Sequence, residues 1–234
     1  MKNKADGLGD RMKANYEQRE QTYLTRRTPV IMRLDGKAFH TFTRGVCMKP
    51  FDAHLHEAMV NTTKALIKDI QGAQFGYTQS DEISILITDW ESFETQAWFD
   101  YNVQKMVSVS ASIAAVTFNN EFGKIKQAPF KAGFFDCRVF NLPKEEVQNY
   151  FLWRWLDWQR NSVSMLAQAN FSHKSLQGKS QIDMKAMLEA EGKPWGGLPD
   201  KWKYGTFVDR EGQNNINLKL EKKWTDWYME HDSV

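Results

Sequence analysis

The chain has 234 residues, 41% hydrophobic and 26% charged, with 31 basic against 29 acidic side chains and a net charge of +2. That content supports one domain or a core with a large appendage, excludes disorder throughout, and leaves no global positive field to attract nucleic acid. No apolar run reaches the roughly 18 residues of a membrane span, the amino terminus has no apolar signal core, and Cys47 and Cys137 fit neither a metal pair nor a disulfide scaffold, so a soluble cytoplasmic protein is expected.

Residues 1–24 are mostly polar and read as a helical lead-in. Val30 to Leu34 (VIMRL) form a bulky, β-branched run stopped by the Asp35-Gly36 turn signal, which predicts a buried strand. Asp52 is placed to cap a helix whose apolar face carries Leu55, Met59, Val60, Leu66, Ile67 and Ile70. AQFGYTQ and ISILIT then predict a hairpin with Ser80, Asp81 and Glu82 at its tip. A long helix is expected from about Ala97 to Asn119 with Phe99, Val103, Met106, Val107, Ile113 and Phe118 inward, followed by a strand over Phe134 to Leu142.

This order, β-α-β-β-α-β, is the split βαβ or ferredoxin-like arrangement, and the fold class is α+β. Beyond Pro143 the pattern is helical through KEEVQNYFLWRWLDWQRNSVSMLAQANF, with acidic residues in its first turn, then a GKPWGGLPD loop, a late strand over Lys203 to Val208 and a polar turn at EGQNN. Residues 1–143 are expected to form the core, and 144–234 a mainly helical extension packed with it as one unit.

Asp35 stands just after the first strand, and the hairpin tip would lie beside it if the hairpin strands form the centre of the sheet. Asp35 and Asp81 would then make an oxygen-rich site suited to Mg²⁺, which prefers a few carboxylates, waters and substrate phosphates, with the Gly36 carbonyl free to approach. Glu82 ranks below Asp81, because strand alternation turns it to the other side. Lys37 and His40 place cationic and hydrogen-bonding groups where triphosphate oxygens would lie. Phe39 either packs against a base or belongs to the core.

Gly178-Lys179-Ser180 lacks the earlier glycine of a phosphate-binding loop, and His54 and His56 face different ways on one helix. Trp153, Trp155 and Trp158 share a helix with Arg154, Asp157, Arg160 and Asn161; such a cluster either packs a junction or stacks bases, and Arg154, Arg160 and Asn161 are its functional candidates.

Between Val30 and Val208, RLDGKAFH, GYTQSDEIS, FDCRVF and LQGKSQIDMKAML resemble the tRNA(His) guanylyltransferase superfamily of 3′-to-5′ polymerases. The resemblance implies a polymerase-palm-like core, two Mg²⁺ ions on Asp35, the Gly36 carbonyl and Asp81, and a nucleoside triphosphate held by Asp35, Gly36, Lys37, Ala38, Phe39, His40, Ser80 and Asp81. It also implies ATP-dependent activation of a tRNA 5′-monophosphate, then attack by the 3′-hydroxyl of an incoming GTP or other nucleotide, in a homotetramer.

Where eukaryotic members carry His-Ile-Asn-Asn-Leu-Tyr-Asn, this chain has Gln159 to Met165 and matches only at Asn161. Its WR-x-x-D-x-x-RNS pattern is similar to that of bacterial and archaeal guanylyltransferase-like proteins. The expected activity is therefore template-directed repair of truncated tRNA 5′ ends. The alternatives are addition of a single G to histidine tRNA, a palm-fold nucleotide cyclase, and a non-catalytic RNA-binding module.

Overall fold

The computed structural model describes residues 7–125, 131–212 and 214–215. In chain order its main elements are α1 (Gly7–Met12), β1 (Val30–Gly36), α2 (Phe39–Phe42), α3 (Ala53–Asp69), β2 (Ala73–Gln79), β3 (Glu82–Ile87), α4 (Val103–Ile125) and β4 (Phe135–Asn141). After these come α5 (Val147–Asn170), α6 (His173–Leu176), α7 (Gln181–Ala190), α8 (Asp200–Tyr204), β5 (Thr206–Asp209) and β6 (Asn214–Asn215). Among the described residues the strands form one antiparallel sheet in the order β4-β1-β3-β2-β5-β6. Its first four members have the expected ferredoxin-like arrangement.

Strand alternation divides the core. Val30, Met32 and Leu34 of β1 and Ile83, Ile85 and Ile87 of β3 face α3 and α4, whereas Ile31 and Tyr77 face α5. Asp52 caps α3, its Oδ1 accepting from the His54 and Leu55 N–H groups at 2.9 and 3.0 Å. A Cβ added at Gly76 would lie 2.6 Å from Thr63 Cγ2, so only glycine lets α3 cross the sheet this closely. Phe39, Phe42, Phe118, Phe122 and Phe135 fill the end of this core nearest α2, with ring centroids 4.9 to 5.5 Å apart.

The fully buried Asp89 anchors the segment before β1: it accepts from Arg26 Nε at 2.6 Å and from the Arg27 N–H at 2.8 Å. None of the α1 residues is buried. On the other face of the sheet, Tyr150 and Phe151 seat α5 against Ile31, Tyr77 and Phe207, and the Tyr150 hydroxyl lies 2.8 Å from Ser84 Oγ. Leu166 and Ala167 at the far end of α5 pack with Leu176 and Leu188, which ties in α6 and α7.

Three sequence expectations change. The long helix begins at Val103 and not at Ala97, because Phe99, Asp100 and Tyr101 adopt left-handed φ values of 50, 52 and 58° in a 3₁₀ turn. Phe99 therefore lies outside the helical face and is 40% exposed. Lys203 and Tyr204 end α8; Gly205, with φ 73°, breaks the chain before β5. The expected turn at EGQNN includes β6, where Asn214 and Asn215 pair with Val208 and Phe207. Among the described residues no helix is long and apolar enough to cross a membrane.

Phe151 is 2% exposed and touches the sheet through Phe75 and Phe207. Phe151→Ala is expected to lower unfolding free energy by about 3–5 kcal/mol in urea titrations.

Candidate active site

Register sets the site. Asp35 of β1 stands opposite Glu82 of β3 on one side and Asp136 of β4 on the other, and Glu82 stands opposite Gln79 of β2. Opposed residues in antiparallel strands share a face, so this row points to the α5 side. Asp81 lies in the turn just before Glu82, where the Gly36 N–H donates to its carbonyl at 3.0 Å. That bond ties the hairpin tip to the end of β1 and brings Asp81 beside Asp35. Lys37 is fixed next to it, its N–H donating to the Phe134 carbonyl at 2.8 Å.

Ala38 and Ser80 have left-handed φ values of 55 and 49°, conformations that cost a non-glycine residue on the order of 1 kcal/mol or more and that gather at functional sites. Burial pushes the Asp81 carboxyl up from its ordinary 3.8 to about 6; the Ser80 hydroxyl, donating to Oδ1 at 3.0 Å, works against this, and the Asp35 charge adds to it.

Two cavities meet at these carboxylates. The larger, about 620 Å³, lies between the Asp35–His40 segment, the Cys47–Pro50 loop and the α5 residues Met165, Gln168 and Ala169. The smaller, about 360 Å³, runs along α5 past Gln79, Arg154, Trp158, Asn161 and Ser164. Asp35, Ser80, Asp81, Met165 and Gln168 line both. The buried Asp52 holds the loop over the larger cavity, because its Oδ2 accepts from the Met48 N–H at 2.7 Å while its Oδ1 caps α3.

Most of the sequence candidates gather here, with differences. Asp35, Gly36, Ala38, Phe39, His40, Ser80 and Asp81 line the larger cavity; Lys37 does not. Phe39 borders it but is only 3% exposed, its ring committed to the aromatic core. Gly36 is required by that ring, since a Cβ would sit 2.4 Å from it. Asn161 and the buried Arg154 line the smaller cavity, whereas Arg160 is exposed and bonded to Asp157.

Strand alternation misplaces Glu82. Because Asp81 belongs to the turn, Glu82 is the residue facing the same side as Asp35, and its two oxygens accept from Arg154 Nε and Nη2 at 2.7 Å each. Sequence reading also missed Lys49, Met165 and Gln168. The signal was present for the α5 residues: positions 154, 158, 161, 165 and 168 recur at helical spacing and form one stripe.

The metal expectation can be tested against this donor set. Among the described residues no group of three or more His, Cys, Asp or Glu side chains is arranged to hold a metal. Asp35, Asp81 and the Gly36 carbonyl remain, a set of hard oxygens of the kind Mg²⁺ takes when waters and substrate phosphates complete its shell. The residues fit such an ion.

A family model described as tRNAHis guanylyltransferase matches residues 9–143. A bacterial tRNA(His) guanylyltransferase-like protein solved in complex with ATP is 43% identical, with a TM-score of 0.87, over 95% of this chain and 96% of that one. A second, solved in complex with GTP, is 38% identical with a TM-score of 0.79, over 97% and 99%. The tRNA(His) guanylyltransferase of Debaryomyces hansenii is 30% identical over 61% of this chain and 54% of its own length.

Asp81 yields a pH prediction. Between its ordinary 3.8 and about 6 the unfolded chain releases this proton while the folded chain keeps it, so stability present below about pH 4 is lost as pH rises through 6. With no divalent cation present, Asp81→Asn is expected to be more stable than the unaltered protein at pH 7 by at most about 3 kcal/mol, and so to unfold at higher temperature. Calorimetry from pH 4 to 8 should show the difference vanish at the acid end.

Proposed function

The chain belongs to the tRNA(His) guanylyltransferase family, whose members are nucleotidyltransferases that add nucleotides to tRNA 5′ ends, and we propose that it performs template-directed 3′-to-5′ addition on truncated tRNAs. The observation carrying this reading is that two cavities open onto one carboxylate pair. Nucleotidyl transfer needs two substrates to meet at one charge-stabilised centre, and this arrangement provides it.

In this reading the described residues up to 143 supply the catalytic core and α5 its second wall, while residues 216–234 of the expected extension lie outside the described residues. The larger cavity receives the nucleoside triphosphate, in keeping with the ATP and GTP complexes of the two bacterial relatives. Lys49 and His40 offer positive or hydrogen-bonding groups to the phosphates, and Ser80 a hydroxyl. The smaller cavity receives the tRNA 5′ end. Asp35, Asp81 and the Gly36 carbonyl would hold Mg²⁺, which when bound offsets phosphate charge and stabilises attacking and leaving oxygens.

Two transfers follow. The tRNA 5′-phosphate attacks the α-phosphorus of ATP and pyrophosphate leaves; the 3′-hydroxyl of the incoming nucleotide then attacks the activated 5′-phosphate and AMP leaves. The protein's part is to orient these groups and to exclude water between the hairpin tip and α5, with no protein nucleophile.

Templated repair is favoured over addition of a single G by the wall that α5 presents. Asn161, Ser164 and Met165 line the cavities within a stretch sharing only Asn161 with His-Ile-Asn-Asn-Leu-Tyr-Asn. Cytoplasmic location and a homotetramer complete the proposal, by resemblance to the family.

Asp35→Ala and Asp81→Ala are each expected to fold and to lower transfer about a thousand-fold or more. Lys49→Ala should raise KM for the triphosphate about ten-fold with kcat less affected. On 5′-truncated tRNAs that differ in the opposing base, the labelled nucleotide incorporated should follow Watson–Crick pairing. Addition of G whatever the opposing base would overturn templated repair, and a cyclic or dinucleotide product from triphosphate alone would overturn transfer to tRNA.

A further inference from the structure

Asp35, Asp81 and Glu82 are gathered at the hairpin tip, yet the third carboxylate is bound differently from the other two. Glu82 Oε1 accepts from Arg154 Nε and Oε2 from Arg154 Nη2, both at 2.7 Å, and the two side chains are only 10 and 8% exposed. The Glu82 carbonyl accepts the Thr78 hydroxyl at 2.9 Å, which fixes the backbone from which this carboxylate projects. A cation on Glu82 would have to displace a guanidinium that already fills the planar fork.

Arg154 is held from its other sides. Its Nη2 also reaches Asp157 Oδ2 at 3.1 Å, and its guanidinium lies 4.4 Å from the centre of the Trp153 ring. Asp157 in turn accepts from Asn161 Nδ2 at 3.2 Å. A chain of polar contacts therefore runs from the hairpin tip to Asn161, a residue of the opposite wall.

We propose that Glu82 is a positioning residue and not a metal ligand: by gripping Arg154 it fixes α5 against the Ser80–Asp81 turn and so sets the gap in which triphosphate and acceptor meet. This rests on the nucleotidyl-transfer reading of the site. It makes Glu82 and Arg154 one functional unit, although they are 72 residues apart in sequence. A pair that served stability alone could be exchanged for two well-packed apolar side chains without harm to function, since buried ion pairs often gain nothing over such replacements. A positioning pair could not.

The test uses the full chain with Glu82→Gln, Arg154→Met, the two combined, and Glu82→Met/Arg154→Met. Mn²⁺ affinity is followed by electron paramagnetic resonance, ATP affinity by equilibrium dialysis, and transfer by single-turnover assay on a 5′-truncated tRNA. Glu82→Gln and Arg154→Met should each keep Mn²⁺ affinity within about two-fold and each lower the single-turnover rate about ten- to a hundred-fold, and their combination should be no worse than about three-fold below the slower single. The apolar pair should remain slow even where its thermal stability equals that of the unaltered protein.

The inference is overturned if Glu82→Gln weakens Mn²⁺ binding about ten-fold or more while Arg154→Met does not, if the two losses multiply, or if the stable apolar pair is fully active. Should Arg154→Met fail to fold, Arg154→Lys keeps the charge without the fork and should show the same slow transfer. If the unaltered protein transfers nothing to any tRNA, the functional reading fails by itself. The binding data then decide: matched changes in ATP affinity for Glu82→Gln and Arg154→Met at constant Mn²⁺ affinity uphold the clamp, and unmatched changes refute it.

Discussion

Like charges gathered in a partly dry cleft oppose one another, and the end of the sheet nearest α2 gathers Asp35, Asp81 and Glu82. Folding offsets part of this cost with a buried cation on α5. Arg154 takes both oxygens of Glu82, and α5 must lie where it does for that fork to close. Among the described residues Asp35 and Asp81 have no equivalent partner, and burial with mutual repulsion pushes the Asp81 carboxyl up. Such a pair is electrostatically incomplete, and a bound cation would complete it.

The rest of the fold keeps this end of the sheet fixed. The aromatic core under α2 and the bond from the Gly36 N–H to the Asp81 carbonyl hold the two turns together. On the opposite face, Tyr150 and Phe151 seat α5 on the sheet, and α6 and α7 brace its far end. Asp89 gathers Arg26 and the Arg27 backbone at the other end of β1. Each contact is short-range, but together they leave little freedom for the walls of the two cavities to part.

The family model covers the strand-borne centre and stops short of the wall that α5 presents. The match to the family model ends at residue 143, before α5 begins, whereas the likeness to the two bacterial structures extends over at least 95% of the chain. The strand-borne carboxylates belong to the matched segment. Met165 and Gln168, which face both cavities, lie beyond it.

The βαββαβ order, the carboxylates of Asp35 and Asp81 and the long helix after Pro143 were legible in the sequence, because hydrophobic period and turn residues act over a few positions. The start of α4 was not, since three left-handed residues precede it and no local pattern announces them. Lys203 and Tyr204 read as strand because their bulk suits one, until Gly205 separated them from β5. The side taken by Glu82 depended on where the turn ended, and a shift of one residue reverses a strand's faces. Sequence by itself determined which residues could carry charge to the hairpin tip. Only the tertiary structure decided that Glu82 would be given to Arg154, and Asp35 and Asp81 left to a shared cleft, because that choice depends on distances between residues far apart in the chain.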